Sequence, residues 1–511
     1  MNDFQPGAHA ERNGDHPAVI MADSGVAVSY REMEDNSRRL AQLLRAAGLQ
    51  PGDHLAILME NHPRYFEVYW AAQRAGLYTT PINWHLKVDE AGYIVEDCGA
   101  TALITSAALA ATATEMEPYL SRVTTRLMVD GTAPGYDSYE AAISAFPAEP
   151  LESEVEGTFM FYSSGTTGRP KGIKAPLSGE PYGAGGGALI LLIQHMYRFS
   201  NQTVYLCPAP LYHAAPIGWS TAAQRIGATV VVMEKFDAVR ALQLIEEHRV
   251  THAQFVPTHF VRMLKLPDDD RLKFDHSSLE VVVHAAAPCP VEVKQRMIEW
   301  WGPIIYEYYA GSEGNGFCAV GPEEWLQHPG TVGKPVMGTL HILEEDGTEV
   351  EPGGVGQIWF DSGAKFEYHN DPAKTASAFN AAGWSTLGDI GRIDDDGYLY
   401  LTDRASHMII SGGVNIYPQE VENALALHPD VADVAVIGVP NAEMGEEVKA
   451  VVVPAEGATA GPELERDLLA YCRSRIAHYK CPVSVDFVVE LPRLPTGKLL
   501  KRQLRSQYWP A

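Results

Sequence analysis

Phe161-Tyr162-Ser163-Ser164-Gly165-Thr166-Thr167-Gly168-Arg169-Pro170-Lys171-Gly172-Ile173 is the stretch on which the reading of this chain turns. Apolar residues lead into four hydroxyl side chains, at Ser163, Ser164, Thr166 and Thr167, interleaved with Gly165 and Gly168 and closed by Lys171. Glycine lets the backbone take positive φ and approach a ligand closely. Hydroxyls, backbone N–H groups and one ammonium together suit the oxygens of a polyphosphate. This is not a Walker A loop, which ends in Gly-Lys-Ser/Thr, because Pro170 precedes the lysine and Gly172 follows it. A polar surface loop is the alternative reading of such a stretch.

Outward from this loop the chain runs to 511 residues, too many for one ordinary core, so about two to four domains are expected. Hydrophobic content of 46% and charged content of 20% are those of a soluble globular protein. The net charge of −26 leaves no basic excess for nucleic acid, which is not expected as a partner, and obliges any phosphate site to make its own positive field. Cysteines 98, 207, 289, 318, 472 and 481 form no Cys-x-x-Cys pair and read as reduced thiols. The start, Met1-Asn2-Asp3-Phe4-Gln5-Pro6, carries neither a basic region nor an apolar run, so no signal peptide is expected. The longest apolar run, near residues 183–193, is about eleven residues, too short to span a bilayer. Trp509-Pro510-Ala511 is not a peroxisomal tripeptide. A cytoplasmic enzyme without a transmembrane segment is the expectation.

Along the chain, Ser29-Tyr30-Arg31-Glu32 reads as a capping box, and Leu40, Leu43, Leu44 and Ala47 carry helical spacing up to a stop at Gly48. Strands are predicted over 54–59, 78–82 and 102–105, with helices over 63–75 and 87–97 between them. Gly183–Gly187 superficially matches a dinucleotide fingerprint, but no strand leads into it, and it reads as a flexible lead into a helix over 188–197. Buried strands are predicted at 204–207, 229–233 and 280–284, with a crossover helix at 238–248. This β–α alternation predicts an α/β fold of doubly wound sheets. Turn dipeptides after Thr339, such as Asp346-Gly347 and Asp396-Gly397, predict a small antiparallel β subdomain over about 330–403. Strands at 431–439, 448–453 and 483–489 around a helix at 462–477 predict a small α+β C-terminal domain. The expected boundaries are therefore 1–403 and 404–511.

Further motifs carry chemistry. Tyr306-Glu307-Tyr308-Tyr309-Ala310-Gly311-Ser312-Glu313-Gly314 follows a strand-like run, and a carboxylate in a glycine-flanked loop either turns to solvent or reaches Mg²⁺. In Trp384-Ser385-Thr386-Leu387-Gly388-Asp389, the carboxylate of Asp389 can accept two hydrogen bonds from a ribose diol. Leu491-Pro492-Arg493-Leu494-Pro495-Thr496-Gly497-Lys498 is a Pro/Gly-shaped loop carrying one lysine, whereas Lys501, Arg502 and Arg505 read as solvated tail charges. Ala209-Pro210-Leu211-Tyr212-His213, His284-Ala285-Ala286-Ala287-Pro288 and Ser411-Gly412-Gly413 complete the set.

Taken in this order, from about Ser29 to Arg505, these motifs resemble those of the adenylate-forming superfamily, and within it the acyl-CoA synthetases (fatty-acid–CoA ligases). The resemblance implies an AMP-forming acyl-CoA ligase that uses ATP, Mg²⁺ and CoA. It assigns Ser163, Ser164, Gly165, Thr166, Thr167, Gly168 and Lys171 to the phosphates, and Ala286, Glu307, Tyr309, Ser312, Asp389 and Arg404 to the rest of the nucleotide. Glu313 and Thr166 would hold Mg²⁺, and Lys498 would be the adenylation lysine. His213, Ala214, Gly218, Ala285 and Gly311 would line the acyl site; Ser411, Gly412 and Gly413 the CoA path. Ser406 stands at the hinge where the family usually has Asp or Lys, and Ala285, Ala310 and Ser312 replace a usual Gly, Gly and Thr. Small and apolar walls, with no Asp poised for an α-amino group, lead to a hydrophobic, bulky carboxylic acid as substrate. Alternatives left open are a partial ligase catalysing one half-reaction, an adenylation enzyme loading a carrier protein, and a silent nucleotide binder. A homodimer is the candidate assembly.

Overall fold

A computed structural model describes residues 4–163, 170–184, 187–344, 346–404, 407–412, 414–441, 443–493 and 499–509. The chain forms two compact units: Met1–Gln254 with Phe274–Val281 and Lys365–Ala376, and Phe255–Lys273 with Val282–Ala364 and Ser377–Ala511.

In the first unit, eight strands form one sheet, in the order Glu367–Tyr368, Lys171–Lys174, Thr158–Ser163, Tyr78–Ile82, His54–Leu58, Ala102–Ser106, Thr125–Val129 and Asp137–Ser138. The pairs from Thr158–Ser163 onward are parallel, and the two strands before it are antiparallel. Central strands such as His54–Leu58 and Ala102–Ser106 are buried along their whole length, as continuous apolar runs between helices require. A second group runs Ala27–Ser29, Pro17–Met21, Thr229–Val232, Val204–Cys207 and His252–Phe255, parallel except at Ala27–Ser29. The helix Tyr30–Ala46 starts where the Ser29 hydroxyl accepts from the Glu32 N–H at 3.2 Å. It stops at Gly48, which takes φ of 98° so that Leu49 N–H can reach Leu44 O.

In the second unit, Val281–His284 and Ile305–Ala310 pair in parallel, and Phe317–Val320 and Lys334–Met337 continue antiparallel. The predicted β subdomain is a four-stranded antiparallel sheet of Thr339–Leu343, Gly356–Asp361, Asp389–Ile393 and Leu399–Arg404. The last piece is a five-stranded sheet built on the long hairpin Val431–Asn441 and Gly445–Pro454, packed by Pro418–Leu425 and Pro462–Arg473. Of the three tail charges, Arg502 is exposed as expected, and Lys501 and Arg505 differ. Lys501 is 8% exposed and pairs with Glu422 at 2.9 Å, and Arg505 pairs with Glu446 at 2.5 Å, because the helix Lys501–Arg505 packs Leu504 against the sheet. All six cysteines are free thiols. No helix among the described residues is long and apolar enough to cross a membrane.

Candidate active site

The hydroxyl-glycine stretch joins the paired strands Thr158–Ser163 and Lys171–Lys174, whose register sets Ser163 opposite Lys171. Ser164, Gly165, Thr166, Thr167 and Gly168 lie outside the described residues. Gly172 is tightly packed: a Cβ there would meet the Met160 methyl at 2.4 Å, the Tyr162 ring at 3.0 Å and the His369 Cβ at 3.1 Å, so a larger residue would have to displace these neighbours. The Lys171 ammonium forms an ion pair with Asp371, which arrives from the neighbouring edge strand. The Tyr162 hydroxyl donates to Asp97 at 2.6 Å; burial first, then the nearby Cys98 and Asp97, push its pKa upward.

Within the same unit, His213 sits at the start of the helix Ala214–Ile226, and Ala214 follows on its first turn. The turn ahead of it is fixed by Asn61. Its amide donates to Ala209 O at 3.2 Å and Met233 O at 2.7 Å, and accepts from Leu211 N–H at 2.8 Å. Sequence reasoning passed over Asn61, whose only local signal is its place just past a buried strand. Gly218 leaves open space, because a Cβ there would meet nothing within 4 Å.

In the second unit, the Tyr309 hydroxyl donates to Asp389 at 2.7 Å, and its ring stacks on Phe360 at 6.2 Å between centroids. Asp389 is 8% exposed and stands opposite Arg404 in the strand register; the Arg404 side chain is outside the described set. Ser312 is exposed and Glu313 half-buried on a turn closed by Gly314 N–H to Gly311 O at 3.1 Å. A Cβ on Gly311 would lie 2.8 Å from a Glu313 carboxylate oxygen and 2.6 Å from Leu387, so glycine at 311 is what admits that carboxylate. A carboxylate held on a glycine turn is the donor a hard divalent cation takes. Ala285 is buried, and Ala286 is exposed with φ of 73°, a conformation that strains an L-residue and concentrates at functional sites.

Beneath these residues lies a buried triad that sequence reasoning missed. Glu307 bonds Lys294 at 2.7 Å and lies 3.3 Å from His284, with side-chain exposures of 7%, 0% and 0%. Burial alone would raise the Glu307 pKa, but the Lys294 ammonium and His284 outweigh it and hold the carboxyl at about 2. Burial pulls Lys294 and His284 downward against the attraction of Glu307. The pair is thus costly to assemble and costlier to break. His284 and Glu307 are register partners on adjacent strands, one residue before Ala285 and two before Tyr309. The Glu307 carboxylate, grouped with the nucleotide residues by resemblance, is engaged inside this triad.

Ser411 pairs with Val414 and Gly445, and Gly412 takes φ of 57° with Met444 packed so that a Cβ would meet its methyl at 2.4 Å. Gly413, Ser406 and Lys498 lie outside the described residues. The loop that carries Lys498 is closed by a bridge between Arg493 and Leu499, and Arg493 grips Asp433 through two bonds of 2.5 and 2.7 Å.

The AMP-binding enzyme family matches residues 7–366, and its C-terminal domain matches residues 420–498. The chain belongs to the AMP-binding enzyme family. FadD13, a long-chain-fatty-acid–CoA ligase of Mycobacterium tuberculosis, is 32% identical over 502 residues, covering 96% of this chain and 95% of its own length. A feruloyl-CoA synthase of Amycolatopsis is 33% identical over 494 residues, 96% of each chain. ATP-bound MatB from Rhodopseudomonas palustris superposes with a TM-score of 0.83 at 27% identity over 99% of each chain. The α/β architecture with a small C-terminal domain is that of this family.

Proposed function

We propose that this AMP-binding enzyme is an acid–thiol ligase that converts a hydrophobic, bulky carboxylic acid to its CoA thioester through an acyl-adenylate. The observation that carries this reading is the full-length likeness to CoA ligases at 32% and 33% identity, with Lys171, Glu313, Asp389 and Lys498 all present at their motif positions. In the first half-reaction a carboxylate oxygen attacks the α-phosphorus of ATP and pyrophosphate leaves. Two anions must meet, so cations are needed where charge builds. Lys171 and the hydroxyls of Ser163, Ser164, Thr166 and Thr167 bind the β- and γ-phosphates. Tyr309 and Ala286 flank the base, Ser312 faces the α-phosphate, and Asp389 and Arg404 take the ribose. Glu313 and Thr166 would hold Mg²⁺, which when bound neutralises phosphate charge. Lys498 offsets the charge at the reacting oxygens, a contribution of about 2.7–4 kcal/mol for one such donor.

In the second half-reaction the thiolate of CoA attacks the acyl carbon and AMP leaves with the bridging oxygen. The C-terminal domain, residues 404–511, turns about Ser406 between the two steps, withdrawing Lys498 and presenting Ser411, Gly412 and Gly413 to the pantetheine arm. Gating of this kind keeps water from the anhydride. By the resemblance, the acid is assigned to His213, Ala214, Gly218, Ala285 and Gly311. The enzyme is assigned to the cytoplasm, where free CoA is the acceptor.

The test is a panel of fatty, aromatic and polycyclic acids with ATP, Mg²⁺ and CoA, read by mass spectrometry for AMP and thioester. Hydrophobic acids are expected to give both in equal amounts. AMP without thioester from every acid would leave only the first half-reaction, and no AMP from any acid would refute the reading.

A further inference from the structure

Lys171 is the cation assigned above to the phosphates, and it is already engaged. Its ammonium pairs with one oxygen of Asp371, while the other oxygen accepts from Lys374 N–H at 2.9 Å at the start of the helix Pro372–Ser377. Asp371 is delivered there by design of the sheet. Tyr368 stands opposite Ile173, His369 N–H donates to Gly172 O at 2.8 Å, and Asp371 N–H donates to Tyr368 O at 3.0 Å. Asn370 completes the turn with φ of 56°, and its amide reaches Asp97 at 3.2 Å. The segment is therefore held from both sides, which fixes the Asp371 backbone beside Lys171.

Capping a helix needs one carboxylate oxygen, and asparagine does it equally well. The second oxygen and the negative charge are surplus to that role, and both are directed at Lys171. The two side chains are 24% and 30% exposed, so the pair is partly screened and readily exchanged. A triphosphate brings more negative charge and more acceptor oxygens to the same ammonium. We infer that Asp371 is a resident counter-ion that positions Lys171 in the nucleotide-free enzyme and is displaced from it by the phosphates of ATP. Asp371 thus sets the affinity for ATP from below: it keeps the lysine in place and competes with the ligand. This rests on the ligase reading above.

The test is calorimetric binding of Mg²⁺ and a non-hydrolysable ATP analogue, without acid, to the wild type and to Asp371→Asn, Asp371→Glu, Lys171→Ala and the double variant Lys171→Ala/Asp371→Asn. Asp371→Asn keeps the cap and drops the competing charge, so it is expected to bind about two- to fivefold tighter, the range of an exposed ion pair. Asp371→Glu keeps the charge and is expected to match the wild type. In the Lys171→Ala background the Asp371→Asn gain is expected to vanish. Unchanged or weaker binding by Asp371→Asn overturns the inference, as does a gain that survives without Lys171. A fall in melting temperature with unchanged affinity would make the Asp371–Lys171 pair a structural contact only and overturn the inference. Failure of the wild type to bind the analogue would instead sink the ligase reading, and the inference with it.

Discussion

Lys294→Met removes the cation from the buried triad while keeping most of the side-chain volume. The ammonium is fully buried, the Glu307 side chain is 7% exposed, and the two lie 2.7 Å apart. Neither water nor salt screens such a pair, so the fraction of a kcal/mol typical of exposed pairs does not apply. Leaving Glu307 there with only His284 beside it costs up to about 3–5 kcal/mol. For a unit of this size that is roughly 6–20 °C in the melting transition. The pH dependence gives the sign. In the wild type Glu307 is held at about 2 against the usual 4.5, so its stabilisation is in place above 4.5 and is lost as pH falls toward 2. Without Lys294, burial is opposed by His284 alone and the Glu307 pKa is expected to rise above its unfolded value, so stability is highest in acid and declines as pH rises through the new pKa. The gap between the two proteins therefore widens from pH 5 to pH 8. Thermal and urea unfolding of the wild type, Lys294→Met and Lys294→Met/Glu307→Gln across that range measures it, and the double variant is expected to recover most of the loss. A gap below about 1 kcal/mol, or one that does not change with pH, would refute the argument that this pair is buried and mutually dependent.

Other outcomes follow from single groups. Lys498→Ala is expected to stop acyl-adenylate formation, measured by pyrophosphate exchange, and to spare thioester formation from a supplied adenylate; equal loss of both would contradict a turning C-terminal domain. Tyr309→Phe removes a bond to a carboxylate worth about 1.5–3 kcal/mol, so the KM for ATP should rise about tenfold or more. An unchanged KM would separate the Tyr309–Asp389 bond from nucleotide binding. His54 and His252 are held at about 4 and His259 at about 3, by burial first and then by Lys174 and His369, Arg198, and Arg262 respectively. Folded histidines with lowered pKa stay neutral while the unfolded chain takes up protons below about 6.5, so each removes about 1.4 kcal/mol of stability per pH unit as pH falls toward 4. Urea midpoints that stay level between pH 7.5 and 5 would contradict this.

Local chemistry made much of the fold legible. Val204–Cys207 was readable end to end because a largely buried parallel strand is a short apolar run between turn signals, Tyr78–Ile82 because it follows the helix stop at Gly76, and Gly48 and Gly76 mark where helices stop by taking positive φ. The strand Thr125–Val129 was not, since Thr125 and Arg126 break its apolar pattern. At the site, single residues with a motif around them could be named. Their partners could not: Asp371 meets Lys171 across 200 residues, and Tyr309 meets Asp389 across 80. Lys501 read as a solvated tail charge, and Lys294, with no motif around it, gave no signal, because a lone lysine on a helix is usually a surface charge. Only the packing of Glu307 and Glu422 against them reveals otherwise.

In the proposed reaction a carboxylate oxygen bonds to the α-phosphorus of ATP. This step is tested most directly by giving the enzyme an acid labelled with ¹⁸O in both carboxyl positions, together with ATP and CoA, and weighing the nucleotide product. AMP carrying one ¹⁸O atom, released as the thioester forms, is the expected product. Unlabelled AMP, or ADP with labelled phosphate, would contradict it.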